Sequence, residues 1–288
     1  RWDAVWRRDR RASEAKLQDV QWSTECDAPL SYFVINKRDE VPGPKDMDMI
    51  LAITQARMSS SRFPGKVLAD VGGMTMLELH LKRIRKSKMI SEVVVALADE
   101  PGVEELERKI AEMGVRAWRG PVNDVLARFA LVVDDVKPQT VVRLTSDCPL
   151  IDPDIIDGVI GLHQRSGADY TSNIKPPTYP DGFDVEVVKA SLLLSAHLEA
   201  THQRDREHVM PFFWSQPDKF KLANLSHAVD DSDLRLTVDY PGDLSIIKSL
   251  IQKWGFDAKY DDIVTFVRTN PTLTATNSMF ERNEALKK

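Results

Sequence analysis

The stretch MILAITQARMSSSRFPGK, residues 49–66, joins a short apolar run to a loop rich in serine and basic residues. The run over 49–54 has the length and composition of a strand that is buried on both faces. The loop over 55–66 contains three serines, two arginines and a lysine, and it has no acidic residue. Because ligands bind at the carboxyl ends of parallel strands, a cationic loop in this place predicts an anion site.

Apolar strand patterns alternate with amphipathic helix patterns from residue 49 onward. Strands are predicted over 49–54, 92–98, 115–118, 140–145, 183–188, 221–225 and 234–238. Helices are predicted over 76–86, 101–114, 123–136, 152–167 and 242–254, with two more around 189–214. The alternation predicts an α/β fold, a Rossmann-like three-layer sandwich with a mostly parallel central sheet.

The 288 residues divide into three predicted segments. Residues 1–48 are charged and end in KRDEVPGPKD, which predicts an N-terminal extension or a linker from an upstream segment. Residues 49–270 form one predicted α/β domain, and residues 271–288 a C-terminal tail. The chain begins without Met, which is compatible with a piece of a longer, multidomain chain.

The charge balance and the cysteine content exclude several classes of protein. Lys and Arg number 39 against 44 Asp and Glu, so nothing in the overall charge favours nucleic acid or an anionic membrane as a partner. Cys26 and Cys148 have no metal-type spacing, and a disulfide framework is not expected. The sequence contains neither a secretory signal nor an apolar run of about 18 residues. We therefore expect a cytoplasmic protein.

The loop after the first strand matches neither of the common phosphate-binding fingerprints. Ser60 stands where a Walker A loop needs its first glycine, and Val67 stands where it needs serine or threonine. The serines nevertheless permit close backbone approach, and Arg57, Arg62 and Lys66 supply cationic donors. Together they suit a triphosphate. The alternative is a solvated basic loop without a ligand.

Two predicted strands are followed directly by aspartate. Asp147 follows the strand over 140–145, and Asp239 follows the strand over 234–238. A single acidic strand end is commonly a turn residue or a helix cap. Two such ends facing a cationic loop predict a Mg²⁺ site opposite a phosphate site. Asp243 is the weaker candidate, because an aspartate in the first turn ordinarily caps its helix.

Several motifs in order resemble the cytidylyltransferase family that includes spore-coat polysaccharide synthesis proteins, and more distantly the CMP-sialate and CMP-Kdo synthetases. They are QARMSSSRFPGKVL (55–68), RG with NDVLARF (119–129), RLTSDCPLIDP (143–153), GADYTSN (167–173), YPDGFDVEV (179–187), REHV (206–209) and LRLTVDYPGDL (234–244). The resemblance covers about 49–270 and implies a GT-A-like nucleotidyltransferase fold. One departure is Ser146, where the family usually has glycine.

The resemblance also implies a role for individual residues. The catalytic residues would be Arg57, Lys66, Asp147 and Asp239, of which Asp147 and Asp239 would bind Mg²⁺. The nucleotide-binding residues would be Ala56, Arg57, Ser59, Ser60, Arg62, Lys66, Asn123, Asp124 and Ser146. The acceptor-binding residues would be Asn173, Tyr179, Asp181, Asp184, Glu186, Arg206 and His208. For the segment 206–208, expected at the start of a helix, a cap or salt bridge is an equal alternative.

The implied reaction moves CMP from CTP to an acceptor, with an acidic sugar for surface-glycan synthesis as the leading candidate and pyrophosphate as the product. A phosphonate or sugar phosphate as acceptor, and a nucleotide-binding protein without turnover, stay open. No general base is evident, since His208 is the only histidine inside a matching motif. His80 and the other histidines lack metal-site spacing, and Cys148 is expected to be a small core residue. Relatives are often dimers, which implies a homodimer through about 175–215.

Overall fold

The computed structural model describes residues 33–34, 49–274, 280 and 282. Within these residues, eight strands form one sheet in the order β1-β8-β6-β7-β5-β2-β3-β4. The strands are β1 Phe33–Val34, β2 Ile50–Ala56, β3 Glu92–Ala98, β4 Arg116–Gly120, β5 Thr140–Thr145, β6 Tyr170–Ser172, β7 Glu186–Lys189 and β8 Leu222–Ser226.

Most neighbouring strands of the sheet run parallel. β2 pairs in parallel with β3 on one side and with β5 on the other, and β3 pairs in parallel with β4. β7 is antiparallel to both of its neighbours, β5 and β6. Parallel neighbours need crossover connections, and helices supply them here. The predicted α/β class with a mostly parallel central sheet is confirmed.

Helices cover both faces of the sheet. They are α1 Met76–Ile84, α2 Val103–Glu112, α3 Val125–Val136, α4 Pro153–Ser166, α5 Ala190–Glu199, α6 Gln203–His208, α7 Pro211–Trp214, α8 Pro241–Trp254 and α9 Tyr260–Thr269. Short 3-10 helices cover Lys66–Leu68 and Pro271–Leu273. No helix of the described residues is both long enough and apolar enough to span a membrane.

The apolar run of β2 supplies two separate cores. Ile50 and Ala52 pack into the core that contains α1, α2, α4, α8 and α9. Leu51 and Ile53 pack into the core that contains α3, α5 and α7. Successive side chains of a strand point to opposite faces, so one run of apolar residues is buried on both sides. This arrangement is the predicted three-layer sandwich.

The prediction of a strand over 234–238 is wrong. The segment is extended, but only Arg235 makes a ladder contact, an isolated bridge to Asp181. Its alternate residues are apolar and buried, which imitates the pattern of a strand. These residues are Leu234, Leu236 and Val238.

The backbone of this segment pairs with loops instead of with the sheet. The N–H of Leu236 donates to the carbonyl of Asp181 at 2.6 Å, and the N–H of Val238 donates to the carbonyl of Asp147 at 2.8 Å. Asp239 therefore does not end a sheet strand as predicted. It nevertheless lies beside Asp147, because the preceding backbone is bonded to the Asp147 turn.

Other differences concern the second half of the chain. Three helices, α5 to α7, replace the two predicted around 189–214. The three-residue strand β6 and the helix α9 were not predicted. Except for β1, the predicted extension over 1–48 lies outside the described residues, as does most of the predicted tail over 271–288.

Candidate active site

A cavity of about 540 Å³ opens at the carboxyl ends of β2 and β5. Most of the predicted site residues line it: Ala56, Arg57, Ser60, Arg62, Lys66, Asn123, Ser146, Asp147, Asp181, Asp184, Glu186, His208 and Asp239. The other predicted residues are not part of this lining: Ser59, Asp124, Asn173, Tyr179 and Arg206. The tertiary structure thus brings the basic loop and the two aspartates into one cavity.

The serine-rich loop after β2 is held by Glu100, a residue that the sequence analysis did not single out. Its Oε1 accepts hydrogen bonds from the backbone N–H groups of Met58 and Ser59, at 2.5 and 3.1 Å. Gly65 then adopts a φ of 70° and donates to the carbonyl of Met58 at 2.9 Å. Glycine adopts this left-handed conformation without a steric penalty. The closed loop directs Lys66 into the cavity.

The ammonium of Lys66 bridges the two predicted metal-binding carboxylates. Its Nζ lies 3.2 Å from Oδ2 of Asp147 and 3.0 Å from Oδ1 of Asp239, and it donates to the carbonyl of Val238 at 2.8 Å. Burial alone would lower the pKa of Lys66, but the two carboxylates outweigh burial and raise it. Desolvation likewise opposes the charge of Asp147, yet Lys66 holds the pKa of that carboxyl well below its usual range. The bridge is therefore ionic.

Asp239 contacts two more cations besides Lys66. Nη2 of Arg62 lies 2.8 Å from its Oδ1, and Nη2 of Arg235 lies 2.8 Å from its Oδ2. The backbone N–H of Asp239 donates at 2.8 Å to Oδ2 of Asp243, which also caps the start of α8. Asp243 thus has the ordinary role of a helix cap and fixes Asp239 at the same time.

The donor set at this point fits a divalent cation that arrives with phosphates. Asp147 and Asp239 converge on one position, since both contact the same ammonium. Mg²⁺ is commonly held by one or two carboxylates together with substrate phosphate oxygens. Among the described residues, no group of three or more His, Cys, Asp or Glu side chains could hold a metal by itself.

Asp181 and Asp184 line the same cavity, and each is paired with an arginine. Oδ2 of Asp181 lies 2.7 Å from Nη1 of Arg235, and Asp184 pairs with Nη2 of Arg282. Arg282 also donates to the carbonyl of Tyr179 at 2.8 Å. Burial, followed by the charge of Asp184, raises the pKa of Asp181 to about 7. Burial also raises the pKa of Asp184, against the effect of Arg282.

Glu186 is held on the sheet itself. It lies opposite Arg143 in the antiparallel pairing of β7 with β5, and the two side chains form an ion pair. The hydroxyl of Tyr170 donates to Oε1 of Glu186 at 2.6 Å. Only 3% of the surface of Glu186 is exposed, and these two partners fix its position beside the cavity.

Both carboxylate oxygens of Asp124, a predicted nucleotide contact, bind other groups of the protein. Its Oδ1 accepts from the N–H of Ala127 at 2.9 Å and caps α3. Its Oδ2 accepts from Nε of Arg206 at 2.9 Å and pairs with Nη2 of the same side chain. The prediction that Arg206 lies at the start of a helix is wrong, because Arg206 lies in the last turn of α6. A role of either residue in substrate binding stays a prediction.

Asn173 and Tyr179, two predicted acceptor contacts, also contact other groups of the protein. Nδ2 of Asn173 donates to the carbonyl of Phe183 at 2.8 Å, and its Oδ1 accepts from the N–H of Val185 at 2.9 Å. The ring of Tyr179 packs against that of Tyr260 at 5.5 Å between centroids. Asn173 thereby holds the segment that carries Asp184.

The buried His80 supports the turn that presents Asp147. Its Nδ1 lies 2.9 Å from the carbonyl of Cys148, which can only accept, so Nδ1 carries the proton. Its Nε2 then accepts from the hydroxyl of Thr54 at 3.0 Å. Burial lowers the pKa of His80 to about 4, which keeps the ring neutral. Cys148 is buried and free, as expected for a small core residue.

Several residues that line the cavity were not predicted from the sequence. Among them are Gln55, Arg128, Lys175 and Trp214. Nζ of Lys175 lies 3.6 Å from the ring centroid of Trp214, within the range of a cation–π contact. Arg128 had a detectable signal, because it is a charged residue on the otherwise apolar face of a predicted helix. Lys175 and Trp214 had no such signal, because they lie 39 positions apart in the sequence and come together only in the fold.

Comparison with known proteins agrees with this geometry. A family model described as Cytidylyltransferase matches residues 51–260. The chain is similar to the spore coat polysaccharide biosynthesis protein SpsF of Bacillus subtilis (strain 168), with 34% identity over 78% of this chain and 96% of that protein. It is also similar to a 3-deoxy-manno-octulosonate cytidylyltransferase of Geobacter sulfurreducens, with 36% identity over 38% of this chain and 44% of that protein.

A solved structure supports the same assignment. The fold resembles that of a cytidylyltransferase from Leptospira borgpetersenii serovar Hardjo-bovis, with a TM-score of 0.76 and 30% sequence identity. The match covers 82% of this chain and 100% of the Leptospira chain. The family match spans both the loop after β2 and the two aspartates that Lys66 bridges. The chain therefore belongs to the cytidylyltransferase family.

Proposed function

We propose that this protein transfers CMP from CTP to a hydroxyl group of an acidic sugar and releases pyrophosphate. The observation that carries the proposal is the convergence of Lys66 with Asp147 and Asp239 in the cavity. A cationic loop and two carboxylates at one point are what a nucleoside triphosphate with its divalent cation requires.

The loop after β2 is the proposed triphosphate site. Arg57, Ser60, Arg62 and Lys66 line the cavity around it. Arg62 and Lys66 pair with Asp239. Phosphate oxygens would attract the same cations, so nucleotide binding would redistribute these ion pairs. Cations that contact the β- and γ-phosphates stabilise the negative charge that develops on the departing pyrophosphate.

Asp147 and Asp239 are the proposed ligands of Mg²⁺. A bound Mg²⁺ would polarise the α-phosphate and neutralise part of its charge. The carboxylates are held in place before the ion binds: the Val238 N–H bonds to the Asp147 carbonyl, and Asp243 accepts from the Asp239 N–H. Such preorganisation avoids rearrangement of the two carboxylates during the reaction.

The acceptor would bind among the carboxylates of Asp181, Asp184 and Glu186. Their oxygens can accept hydrogen bonds from sugar hydroxyls, while their arginine partners keep the charge of the site balanced. Lys175 lies over Trp214 in the same cavity and supplies a cation for the carboxylate of an acidic sugar. The name of the Geobacter relative includes an acidic sugar, 3-deoxy-manno-octulosonate, which supports the same acceptor class.

The chemical step follows from these positions. The acceptor oxygen attacks the α-phosphorus, the bond from this phosphorus to the bridging oxygen breaks, and pyrophosphate leaves. The protein contributes alignment of the two reactants and stabilisation of charge. The carboxylate of Asp181, whose pKa lies near 7, is available to take up the hydroxyl proton.

Release of pyrophosphate tests the proposal. The protein is incubated with CTP and Mg²⁺ and with a panel of 2-keto sugar acids, sugar phosphates and phosphonates. We expect release with at least one sugar acid and formation of its CMP ester. Release of pyrophosphate only with a phosphonate or a sugar phosphate would show that the acceptor belongs to that class and not to the acidic sugars. Binding of CTP without release for any acceptor would favour a nucleotide-binding protein without turnover.

The quaternary structure and the flanking segments stay predictions. A homodimer through residues 175–215 would place α5 in the interface. Sedimentation of the purified chain would test it.

A further inference from the structure

Two residues of the predicted C-terminal tail, Phe280 and Arg282, lie against the candidate active site. The ring of Phe280 stacks on that of Tyr240, with 4.1 Å between the centroids and an angle of 12° between the planes. Arg282 pairs with Asp184, which lines the cavity. Both residues lie beyond the range 51–260 that the family model matches, so the family assignment does not account for their contacts.

Tyr240 connects Phe280 to the proposed triphosphate site. It follows Asp239 directly in the sequence and precedes α8. The guanidinium carbon of Arg62 lies 5.0 Å from the centroid of the Tyr240 ring, within the range of a cation–π contact. Arg62 also pairs with Asp239 and lines the cavity from the loop after β2. The position of the Tyr240 ring thus affects one of the cations proposed to bind the phosphates.

Phe280 also contacts a residue that organises the carboxylates of the cavity. The guanidinium carbon of Arg235 lies 5.9 Å from the centroid of the Phe280 ring, within the same range. Arg235 is buried, and it pairs with both Asp181 and Asp239. One ring therefore contacts the tyrosine that Arg62 faces and the arginine that holds Asp239.

Arg282 fixes the position of Phe280 from two residues further along the chain. Its Nη2 pairs with Asp184, and its Nη1 donates to the carbonyl of Tyr179 at 2.8 Å. The Arg282 and Asp184 side chains are 13% and 22% exposed, so solvent screens this pair less than it screens a surface pair. Asn173 in turn holds the segment that carries Asp184. Arg282 is thus attached to a fixed part of the fold.

Arg62 is a loop cation that benefits from support by its neighbours. Its side chain is 35% exposed, compared with 11% for Lys66, so fewer protein atoms restrict it. An arginine that becomes ordered only when a ligand binds loses rotamer entropy, and this loss weakens binding. A ring that holds the guanidinium beforehand reduces the loss.

We propose that Phe280 is a positioning residue of the triphosphate site and that Arg282 is its anchor, a role that rests on the function proposed above. Phe280 holds the Tyr240 ring in place, and this ring holds the guanidinium of Arg62. Removal of Phe280 or of its anchor leaves all the proposed phosphate ligands present but less well ordered. The active site thereby extends into the predicted tail, beyond residue 270.

Calorimetric titration of the full chain tests the proposal, with Mg²⁺ present and no acceptor. The ligands are CTP, inorganic tripolyphosphate and CMP, which lacks the β- and γ-phosphates. Phe280→Ala should weaken CTP and tripolyphosphate about 5- to 10-fold, with CMP changed by less than about 2-fold. Phe280→Tyr keeps the ring and should bind all three ligands as the wild type does.

A double-mutant cycle tests the anchor. Arg282→Gln should weaken CTP about 3- to 10-fold, whereas Arg282→Lys, which keeps the charge, should recover part of this loss. Phe280→Ala combined with Arg282→Gln should bind CTP at most about 2-fold more weakly than Phe280→Ala alone, because both residues act through one contact. Wild-type affinity in Arg282→Gln, or full additivity of the two losses, would show that Arg282 is not the anchor of Phe280.

Two residues of α9 provide matched controls. Arg268 pairs with Asp231 and Asp233, Phe266 packs against the core, and neither residue lines the cavity. Arg268→Gln and Phe266→Ala should lower the melting temperature and leave the ratio of CTP to CMP affinity unchanged. If Phe280→Ala does not fold, Phe280→Leu replaces it. That variant keeps much of the apolar volume without the ring, and it should also lose affinity for tripolyphosphate.

Three results would overturn the proposal. One is an unchanged ratio of CTP to CMP affinity in Phe280→Ala or its replacement, which would limit Phe280 to a structural role. Another is tighter binding of CTP in Phe280→Ala or Arg282→Gln, which would show that these residues obstruct the site. The third is a wild type that binds neither CTP nor tripolyphosphate, which would contradict the proposed function as well. The expected losses of CTP affinity without pyrophosphate release for any acceptor would contradict only the proposed reaction.

Discussion

Nζ of Lys66 lies 3.0 Å from Oδ1 of Asp239, although the two residues are 173 positions apart in the sequence. The same ammonium contacts Asp147, so it lies between the two carboxylates proposed to bind Mg²⁺. A lysine and a divalent cation cannot both occupy one position. Lys66 neutralises both carboxylates, and the phosphate oxygens of a bound CTP would compete with them for its ammonium.

Removal of either aspartate of the pair should abolish turnover more than binding. Asp147→Asn and Asp239→Asn are each expected to lower kcat for pyrophosphate release by at least about 100-fold, because the variants lose a metal ligand. The dissociation constant of CTP should change by less than about 10-fold, since the basic loop is intact. The exposed Asp154→Asn is the control. Wild-type rates in either variant would contradict the metal site.

Lys66→Met should make the ligand-free protein less stable and more responsive to Mg²⁺. Removing the partner of two carboxylates is expected to cost about 3 kcal/mol of unfolding free energy, measured by urea denaturation without metal. Addition of Mg²⁺ should then raise the melting temperature more than it does in the wild type, because the ion no longer competes with an ammonium. An equal or smaller rise would contradict the competition. Lys88→Met, at an exposed lysine, is the control.

Substitution of Asp124 separates its structural role from a role in nucleotide binding. Asp124→Ala removes both the cap of α3 and the partner of Arg206, so we expect a loss of about 1–3 kcal/mol in unfolding free energy. Asp124→Asn retains the cap and should recover part of the loss. In both folded variants kcat/KM for CTP should stay within about 3-fold of the wild type. A large rise in KM with unchanged stability would instead support the nucleotide contact.

The stabilising contribution of two buried histidines should be lost as the pH decreases from 6.5 to 4, whereas the raised pKa of Asp181 acts in the opposite direction over this range. Burial lowers the pKa of both His80 and His163 from 6.5 to about 4. Between these values the unfolded chain binds protons that the folded chain does not, so their contribution is complete above pH 6.5 and is lost as the pH falls to 4. Each histidine accounts for on the order of 3 kcal/mol over this window.

The variant His80→Gln tests this pH dependence. Glutamine can donate to the Cys148 carbonyl and does not titrate, so the dependence of unfolding free energy on pH should flatten by about one proton. The exposed His202→Gln should leave the slope as it is in the wild type. A slope in His80→Gln equal to that of the wild type would show that His80 is not buried in its neutral form.

The segment 234–238 and helix α9 were predicted wrongly for different reasons. The residues Leu234, Leu236 and Val238 alternate as in a strand, and they are buried as in a strand. The segment nevertheless bonds to the backbone of Asp181 and Asp147 in loops, and only Arg235 forms an isolated bridge. Helix α9 is a different case: it was not predicted, although Tyr260, Ile263, Val264 and Val267 follow a helical period in the sequence.

Local patterns determined the fold class, the order of most helices and strands, and the positions of Lys66, Asp147 and Asp239 at loop edges. These features depend on hydrophobic period, caps and turns, which act over a few residues. The partners of each charged residue were decided by the tertiary structure alone. Asp124, a predicted nucleotide contact, pairs with Arg206 in the fold, and Arg128, a charged residue on an apolar helix face, contacts the carbonyls of Ala56 and Ala96 beside the cavity. Compensation of a charge depends on residues far apart in sequence, so only the folded chain reveals which charges are left for a ligand.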